Sequence, residues 1–269
     1  MNKLEDFEYT KELIILKNSL IKNGDELRLV GGCVRNFLME KEISDYDLCT
    51  TYKPNEVLDL LNKSKIKSIP TGIKHGTITA IINKKPLEIT TLRNDFNTDG
   101  RHADVDFITD YFQDAKRRDL TINAIYLDFE NNLYDYFNGI EDIKNKNIKF
   151  IGNPEDRIQE DFLRILRFFR FYSHYGNKLD KDGLNACIKY KNYIKNLSKE
   201  RIKSEFFKIL KGEKNIETLK IIENNKILNE IILINKVDFN LLKIANNFKI
   251  NDEILLLFLI INNKKYDIN

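Results

Sequence analysis

Two carboxylic acids, Asp45 and Asp47, stand two positions apart at the start of a segment with strand-like composition. On an extended strand, side chains two residues apart point to the same face. The two carboxylates can therefore converge on one divalent cation, and Mg²⁺ is commonly bound by one or two carboxylates together with substrate phosphates. We interpret the pair as a metal-binding site; the alternative is a solvated loop or a helix cap.

A second chemical feature precedes the acidic pair. The segment 26–30 is typical of a short strand and leads into Gly31-Gly32, after which 34–39 is helix-like. Glycine allows the backbone to approach a phosphate closely, and the free N–H groups at a helix start favour an anion. The guanidinium of Arg35 would add a positively charged, planar group of N–H donors. An ordinary turn is the alternative, but a phosphate-binding loop beside a metal-binding pair indicates nucleotidyl transfer.

Composition places the chain among soluble globular proteins. Hydrophobic residues make up 42% and charged residues 32% of the 269 residues. The N-terminus lacks the apolar core of a secretory signal, and the longest apolar run, 254–261, is too short to cross a bilayer. The three cysteines show no CxxC spacing, so we expect reduced thiols and a cytoplasmic location. We also expect no membrane association, and the sequence indicates no obligate protein partner.

The distribution of elements predicts two domains of an α+β protein. Residues 1–150 mix helical stretches with short extended segments, which predicts a mixed β-sheet with helices, and 151–269 read as helices alone. The extended segments are 27–30, 46–50, 77–82, 86–92, 105–108 and 124–128; the helices are 10–23, 34–40, 54–62, 114–118 and one beginning at 154, on which Ile158, Phe162, Ile165, Leu166 and Phe169 recur at helical spacing.

Charge differs between the two parts of the chain. Residues 170–269 hold 19 Lys and Arg against 12 Asp and Glu, whereas 1–169 hold 25 against 29. A positive C-terminal region suits contact with a phosphate backbone, although a solvated helical surface would look the same.

A series of motifs, taken in order, resembles the class II tRNA nucleotidyltransferases (the CCA-adding enzymes) and the related bacterial poly(A) polymerases. The motifs are Gly31 to Asn36, Ser44 to Leu48, Lys74 to Thr77, Glu88 to Arg93, Asp99 to Arg101, Lys116 to Ala124, Glu160 to Arg164 and Glu200 to Ile202. The resemblance spans roughly residues 25–210. One position departs from it, because the family usually has Asp where this chain has Asn36.

The resemblance implies an enzyme with a nucleotidyltransferase head at 1–150 and a helical neck and body with a reduced tail at 151–269. It implies template-independent addition of CCA to the tRNA 3′ end from CTP and ATP, with release of diphosphate and two Mg²⁺ ions. Asp45 and Asp47 would bind the metal ions, and Glu88 would be a further catalytic carboxylate. Nucleotide and phosphate contacts would come from Gly31, Gly32, Arg35, Arg117, Arg118, Asp119 and Asn123, and a specificity loop at 93–110 would carry Asp99 and Arg101.

Base selection is expected at Asp161, Arg164 and Arg167. Asp161 and Arg164, three apart on a helix, would share one face. Cytosine and adenine both present an amino donor beside a ring-nitrogen acceptor, which an Asp and an Arg can pair, whereas guanine and uracil reverse that pattern. The alternative interpretation is an intrahelical ion pair between Asp161 and Arg164.

Three other functions stay open on sequence grounds. A poly(A) polymerase shares the same motifs, and an enzyme that adds only CC or only A would share them too. A catalytically inactive RNA-binding protein is the alternative from another class, against which the complete pair of Asp45 and Asp47 argues.

Overall fold

The computed structural model describes residues 2–4, 7–22, 24, 26–96, 104–232, 237, 239–250 and 252–261. The chain divides into two compact units, Met1–Lys144 and Asn145–Asn269. The first contains most of the β-structure, and the second is built mainly from helices.

The first unit is organised around a mixed eight-stranded sheet in the order β1-β10-β9-β2-β3-β6-β5-β4. Strands β3 and β6 run parallel, and the other neighbours in the sheet pair antiparallel. The strands are β1 Asn2–Lys3, β2 Leu27–Val30, β3 Asp47–Thr50, β4 Lys67–Gly72, β5 Thr77–Ile82, β6 Lys85–Thr91, β9 Ile125–Leu127 and β10 Asn132–Asp135; a separate antiparallel hairpin contains β7 Arg93–Phe96 and β8 Asp104–Phe107.

Helices of the first unit begin where the sequence supplies partners for free N–H groups. Thr10 and Asp110 accept hydrogen bonds from the backbone of Leu13 and Phe112, at 3.3 Å and 2.8 Å. The helices are α1 Lys11–Leu20, α2 Gly32–Leu38, α3 Pro54–Lys63, α4 Tyr111–Lys116 and α5 Gly139–Lys144. Strand β2 is buried along its whole length, so the sheet centre forms the core of this unit.

The second unit buries aromatic side chains between its helices. Phe150 stacks on Phe168 with ring centroids 4.9 Å apart, and Phe169 and Phe206 are fully buried beside other apolar residues. Its helices are α6 Pro154–Glu160, α7 Leu163–Tyr175, α8 Lys181–Tyr190, α9 Lys199–Leu210, α10 Asn215–Asn224, α11 Phe239–Asn247 and α12 Glu253–Ile261, and a parallel pair joins β11 Asn147–Ile148 to β12 Lys178–Leu179.

The architecture confirms the α+β class and corrects several boundaries. The predicted loop at 93–110 contains the β7–β8 hairpin, and β12 interrupts a region expected to be helical throughout. Strand β4 was missed because it is a polar edge strand with mostly exposed side chains. The described helices include none with the length and apolar character of a membrane span.

Candidate active site

Gly31 is the N-cap residue that precedes helix α2, and its backbone has a conformation that favours glycine, with φ +74° and ψ −123°. A Cβ at this position would lie 3.7 Å from Nη1 of Arg118 and 4.0 Å from Oδ2 of Asp47. The Gly31 backbone is therefore next to a cation and a carboxylate that the sequence analysis assigned to the site. Helix α2 starts at Gly32, two residues earlier than predicted.

The acidic pair lies at the start of strand β3, which begins one residue later than predicted. Strand β3 begins at Asp47, so Asp45 lies just before the strand and accepts a hydrogen bond from Ser44 Oγ at 2.9 Å. Asp47 is directly opposite Glu88 in the parallel β3–β6 register. Asp47 is exposed as a whole residue, but partial desolvation of its carboxyl group raises its pKa; Arg118 opposes that rise and the nearby Asp45 adds to it.

Glu88 does not complete a three-ligand site in this structure. Among the described residues, no group of three or more His, Cys, Asp or Glu side chains is placed to hold a metal ion. Asp45 is nevertheless close enough to Asp47 to raise the pKa of that carboxyl group.

A polar pocket of about 240 Å³ adjoins Asp47. Its wall includes three guanidinium side chains, from Arg93, Arg117 and Arg118. Three positive groups converging on a small recess suit a polyphosphate, because guanidinium forks match phosphate oxygens in geometry and charge. The other lining residues are Val30, Leu48, Thr77 and Thr90.

Asp114, on helix α4, holds both adjacent arginines of the pocket. Its Oδ1 accepts from Nε of Arg117 at 2.9 Å, and its Oδ2 accepts from Nε and Nη2 of Arg118 at 3.3 Å and 3.2 Å. The Tyr126 hydroxyl donates to Oδ2 at 2.8 Å. Burial alone would raise the pKa of Asp114, but Arg118 and Arg117 outweigh it and lower that pKa to about 2.

Three other residues predicted to contact the nucleotide form a buried hydrogen-bonded chain. Arg35 donates from Nη1 to Oδ1 of Asn123 at 2.6 Å, and Asn123 donates from Nδ2 to Oδ1 of Asp119 at 3.4 Å. All three side chains are buried, and none of them lines the pocket. Asn36, at the departure from the family pattern, accepts from Nη2 of Arg35 at 2.8 Å.

The cysteines have no chemical role that the structure supports. Cys33, Cys49 and Cys187 are free and buried. Burial raises the pKa of Cys33 to about 11, so its thiol stays protonated at neutral pH. The Cys33 thiol donates to the backbone carbonyl of Val30 at 3.3 Å, which fits a packing role.

In the second unit, Asp161 and Arg164 do not share one face of a continuous helix. Helix α6 ends at Glu160, Asp161 has extended backbone angles, and α7 begins at Leu163. Asp161 accepts from Nη2 of Arg201 at 2.7 Å, whereas Arg164 donates to Oε2 of Glu160 at 2.6 Å. The ion pairs seen at these residues are thus Asp161 with Arg201 and Arg164 with Glu160.

Arg167 and the specificity loop complete the comparison with the predicted site. The Arg167 guanidinium lies 5.5 Å from the ring centroid of Phe171, on α7. Asp99 and Arg101 fall outside the described residues. Sequence reasoning did not single out Arg93, Asp95 or Asp114, although Arg93 closes the matched segment that begins at Glu88 and Asp114 stands three positions before Arg117.

Comparison with known proteins matches both units. A family model described as the poly A polymerase head domain matches residues 27–149, and one described as a probable RNA and SrmB-binding site of polymerase A matches 177–233. The chain is 46% identical over 211 residues to the mitochondrial CCA tRNA nucleotidyltransferase 1 of Homo sapiens, covering 76% of this chain and 48% of that protein. A CCA-adding enzyme of Oceanobacillus iheyensis is 42% identical over 197 residues, covering 72% of this chain and 48% of its own.

Solved structures give the same result. The Bacillus stearothermophilus CCA-adding enzyme in complex with CTP superposes with a TM-score of 0.73 at 32% identity, covering 80% of this chain and 51% of that one. A tRNA nucleotidyltransferase complexed with a primer tRNA and an incoming ATP analogue superposes with a TM-score of 0.73 at 26% identity, covering 90% of this chain and 73% of its own.

The chain spans about half the length of the curated relatives it matches. The matched head domain nevertheless contains the Gly31 loop, Asp47 and the arginine pocket. By its motifs, its fold and these matches, the chain belongs to the nucleotidyltransferase family of the CCA-adding enzymes and poly(A) polymerases.

Proposed function

We propose that this chain adds or repairs the 3′-terminal CCA of tRNA from CTP and ATP without a nucleic-acid template. The observation that carries the proposal is the pocket in which Asp47 faces Arg93, Arg117 and Arg118. Such a pocket combines an anion-binding wall with a carboxylate able to hold a cation, as transfer from a nucleoside triphosphate requires.

In the proposed reaction, the terminal 3′-hydroxyl oxygen of the RNA bonds to the α-phosphorus of the nucleotide. The bond from that phosphorus to the bridging oxygen breaks, and diphosphate leaves while the hydroxyl proton is lost to solvent or base. The arginines would hold the triphosphate in line and neutralise charge on the leaving diphosphate. Asp114 keeps two of these guanidinium groups in place.

Nucleotidyltransferases of this kind are metal-dependent, and the residues here fit a hard cation. Asp45 and Asp47 lie close enough for each charge to affect the other, and the raised pKa of Asp47 indicates a carboxylate that a cation would stabilise. We propose that they hold two Mg²⁺ ions together with the triphosphate, with Glu88 as an adjacent catalytic carboxylate. When bound, Mg²⁺ neutralises phosphate charge and favours the deprotonated nucleophile.

Base selection is proposed for the second unit. Asp161 retains acceptor capacity beyond its bonds to Arg201 and Leu163, because a carboxylate has about four lone-pair sites. Arg164 and Arg167 would supply donors to the ring-nitrogen acceptor of cytosine or adenine. We assign nucleotidyl transfer to residues 1–150 and nucleobase and RNA binding to 151–269, where the excess of Lys and Arg suits tRNA. The free buried cysteines support the proposed cytoplasmic location.

The deciding experiment incubates tRNAs that end before CCA, after the first C and after the second C with each labelled nucleotide and Mg²⁺. We expect C, C and one A to be added in order. A long A tract would identify a poly(A) polymerase, and products that stop at CC or accept only the last A would identify a partial activity. Absence of incorporation with retained tRNA binding would favour the non-catalytic alternative.

A loop variant sharpens this assay. The resemblance assigns the change from CTP to ATP to the segment that carries Asp99 and Arg101. Arg101→Ala should therefore spare C addition and impair the final A. Equal loss of both steps would contradict a specificity role for this residue.

A further inference from the structure

Asp95, on strand β7, bridges two of the three arginines of the pocket. Its Oδ1 lies 2.9 Å from Nε of Arg93, and its Oδ2 lies 3.1 Å from Nη1 of Arg117. All three side chains are largely buried, with exposed fractions of 17–19%. Asp95 does not itself line the pocket, so its carboxylate supports the arginines without occupying the space open to a ligand.

The Asp95 carboxylate offsets the electrostatic repulsion between the guanidinium groups of Arg93 and Arg117. Burial and the neighbouring Arg117 lower the pKa of Arg93, which shows that two like charges are held close together in a poorly solvated place. A shared carboxylate is the simplest group that makes such a pair stable, because it attracts both cations at short range.

The two arginines differ in how firmly they are otherwise held. Arg117 is also bound by Asp114, at 2.9 Å from Nε and 2.7 Å from Nη2. The Arg93 guanidinium donates to the backbone carbonyl of His75, an uncharged acceptor. Loss of the Asp95 charge should therefore displace Arg93 and leave Arg117 in place.

We propose that Arg93 is a phosphate-binding residue of the pocket and that Asp95 is the positioning residue that holds it beside Arg117. The ligand class is the polyphosphate of a nucleoside triphosphate, so this assignment rests on the proposed function and deepens it. Arg93 would contribute a third guanidinium to the pocket, beside those of Arg117 and Arg118.

The test measures binding of inorganic triphosphate to the whole chain by titration calorimetry, with no tRNA and no turnover. Asp95→Asn and Arg93→Gln should each weaken binding by about tenfold, the loss expected for one charge-assisted contact. The double variant should bind no more weakly than either single variant, because both changes remove the same contact. Asp106→Asn, an exposed carboxylate on β8 of the same hairpin, is the matched control and should bind as the wild type does.

Unchanged or tighter binding by Asp95→Asn would overturn the positioning role, as would losses that add in the double variant. If Asp95→Asn does not fold, Arg93→Lys, which keeps the charge but not the fork, decides instead: wild-type affinity would overturn the assignment, and weaker binding would support it. Wild-type protein that binds triphosphate but adds no nucleotide to tRNA would contradict the proposed function alone.

Discussion

The Asp161 carboxylate is bonded to the Arg201 guanidinium, with Oδ2 and Nη2 2.7 Å apart. This contact joins the break between helices α6 and α7 to helix α9. The other oxygen, Oδ1, accepts from the backbone of Leu163 at 3.1 Å, at the start of α7. Arg201 therefore orients Asp161, while Glu160 orients Arg164 through a separate ion pair.

This arrangement makes base selection testable at two independently held residues. Asp161→Ala and Arg164→Ala should each reduce the preference for CTP and ATP over UTP and GTP, because each change removes one partner of the base edge. A missing buried partner costs about 1–3 kcal/mol, so the ratio of kcat/KM values should fall by roughly 5- to 150-fold. Single-nucleotide incorporation with each triphosphate measures this ratio.

Asp156→Ala on helix α6 is a suitable control, because Asp156 is exposed and lies on the same short helix. It should leave selectivity unchanged. Arg201→Met should shift selectivity in the same direction as Asp161→Ala, since it frees the Asp161 carboxylate. If both Asp161→Ala and Arg164→Ala keep wild-type selectivity, the two residues only brace the helices.

The break at Asp161 shows what the sequence could not predict. Ile158, Phe162 and Ile165 keep helical spacing through this point, and each lies in or beside a helix, so periodicity gives no sign of an interruption. The interruption depends on a hydrogen bond to Leu163 and on Arg201, 40 residues away along the chain. Contacts at such separation are set by tertiary packing.

In the first unit the sequence predicted the elements that have strong periodicity. Strand β5 has the predicted bounds, and β2 does too, because buried apolar and β-branched residues dominate both. The motifs also predicted that Asp47 and the adjacent arginines belong together. Asp95 and Asp114 were not predicted as part of the site, because an isolated Asp in the sequence gives no indication of the arginines that surround it in the fold.

Asp47 offers a prediction that separates activity from stability. Its pKa is raised in the folded protein, so the ionised carboxylate is less favourable there than in the unfolded chain at neutral pH. Asp47→Asn removes this penalty and should raise Tm while it abolishes nucleotide addition. As pH falls and the Asp47 carboxylate becomes protonated, the difference in Tm between the wild type and Asp47→Asn should shrink. Thermal unfolding of both proteins over a pH series provides the measurement, and a lower Tm for Asp47→Asn at pH 7 would contradict it.

Asp114 should behave in the opposite way. Its pKa falls from 3.8 to about 2 in the folded protein, so its charge stabilises the fold above the unfolded pKa, and that contribution is lost as pH falls towards 2. Asp114→Asn should lower the free energy of unfolding at pH 7 by about 2 kcal/mol. The difference in the free energy of unfolding between Asp114→Asn and the wild type should become smaller in acid, which urea unfolding at pH 7 and pH 3 would detect. A gap that stays constant over this range would mean that packing, not charge, is responsible.

Gly31→Ala tests the backbone approach to the phosphate. Alanine at φ +74° is strained, and such strain costs about 1–3 kcal/mol. The new methyl group would contact Arg118 Nη1 at 3.7 Å and Asp47 Oδ2 at 4.0 Å, filling space at the pocket edge without a severe clash. We expect lower stability and a higher KM for CTP and ATP, with a smaller effect on kcat.

Gly152→Ala separates strain from site blockage. Gly152 has a similar φ of +70°, but no atom lies within 4 Å of a Cβ there. It should also lose stability, as thermal unfolding reports, and keep the wild-type KM because it is outside the described pocket. Equal KM values for Gly31→Ala and Gly152→Ala would show that the Gly31 backbone does not approach the nucleotide, and the phosphate site would then rest on the arginine side chains alone.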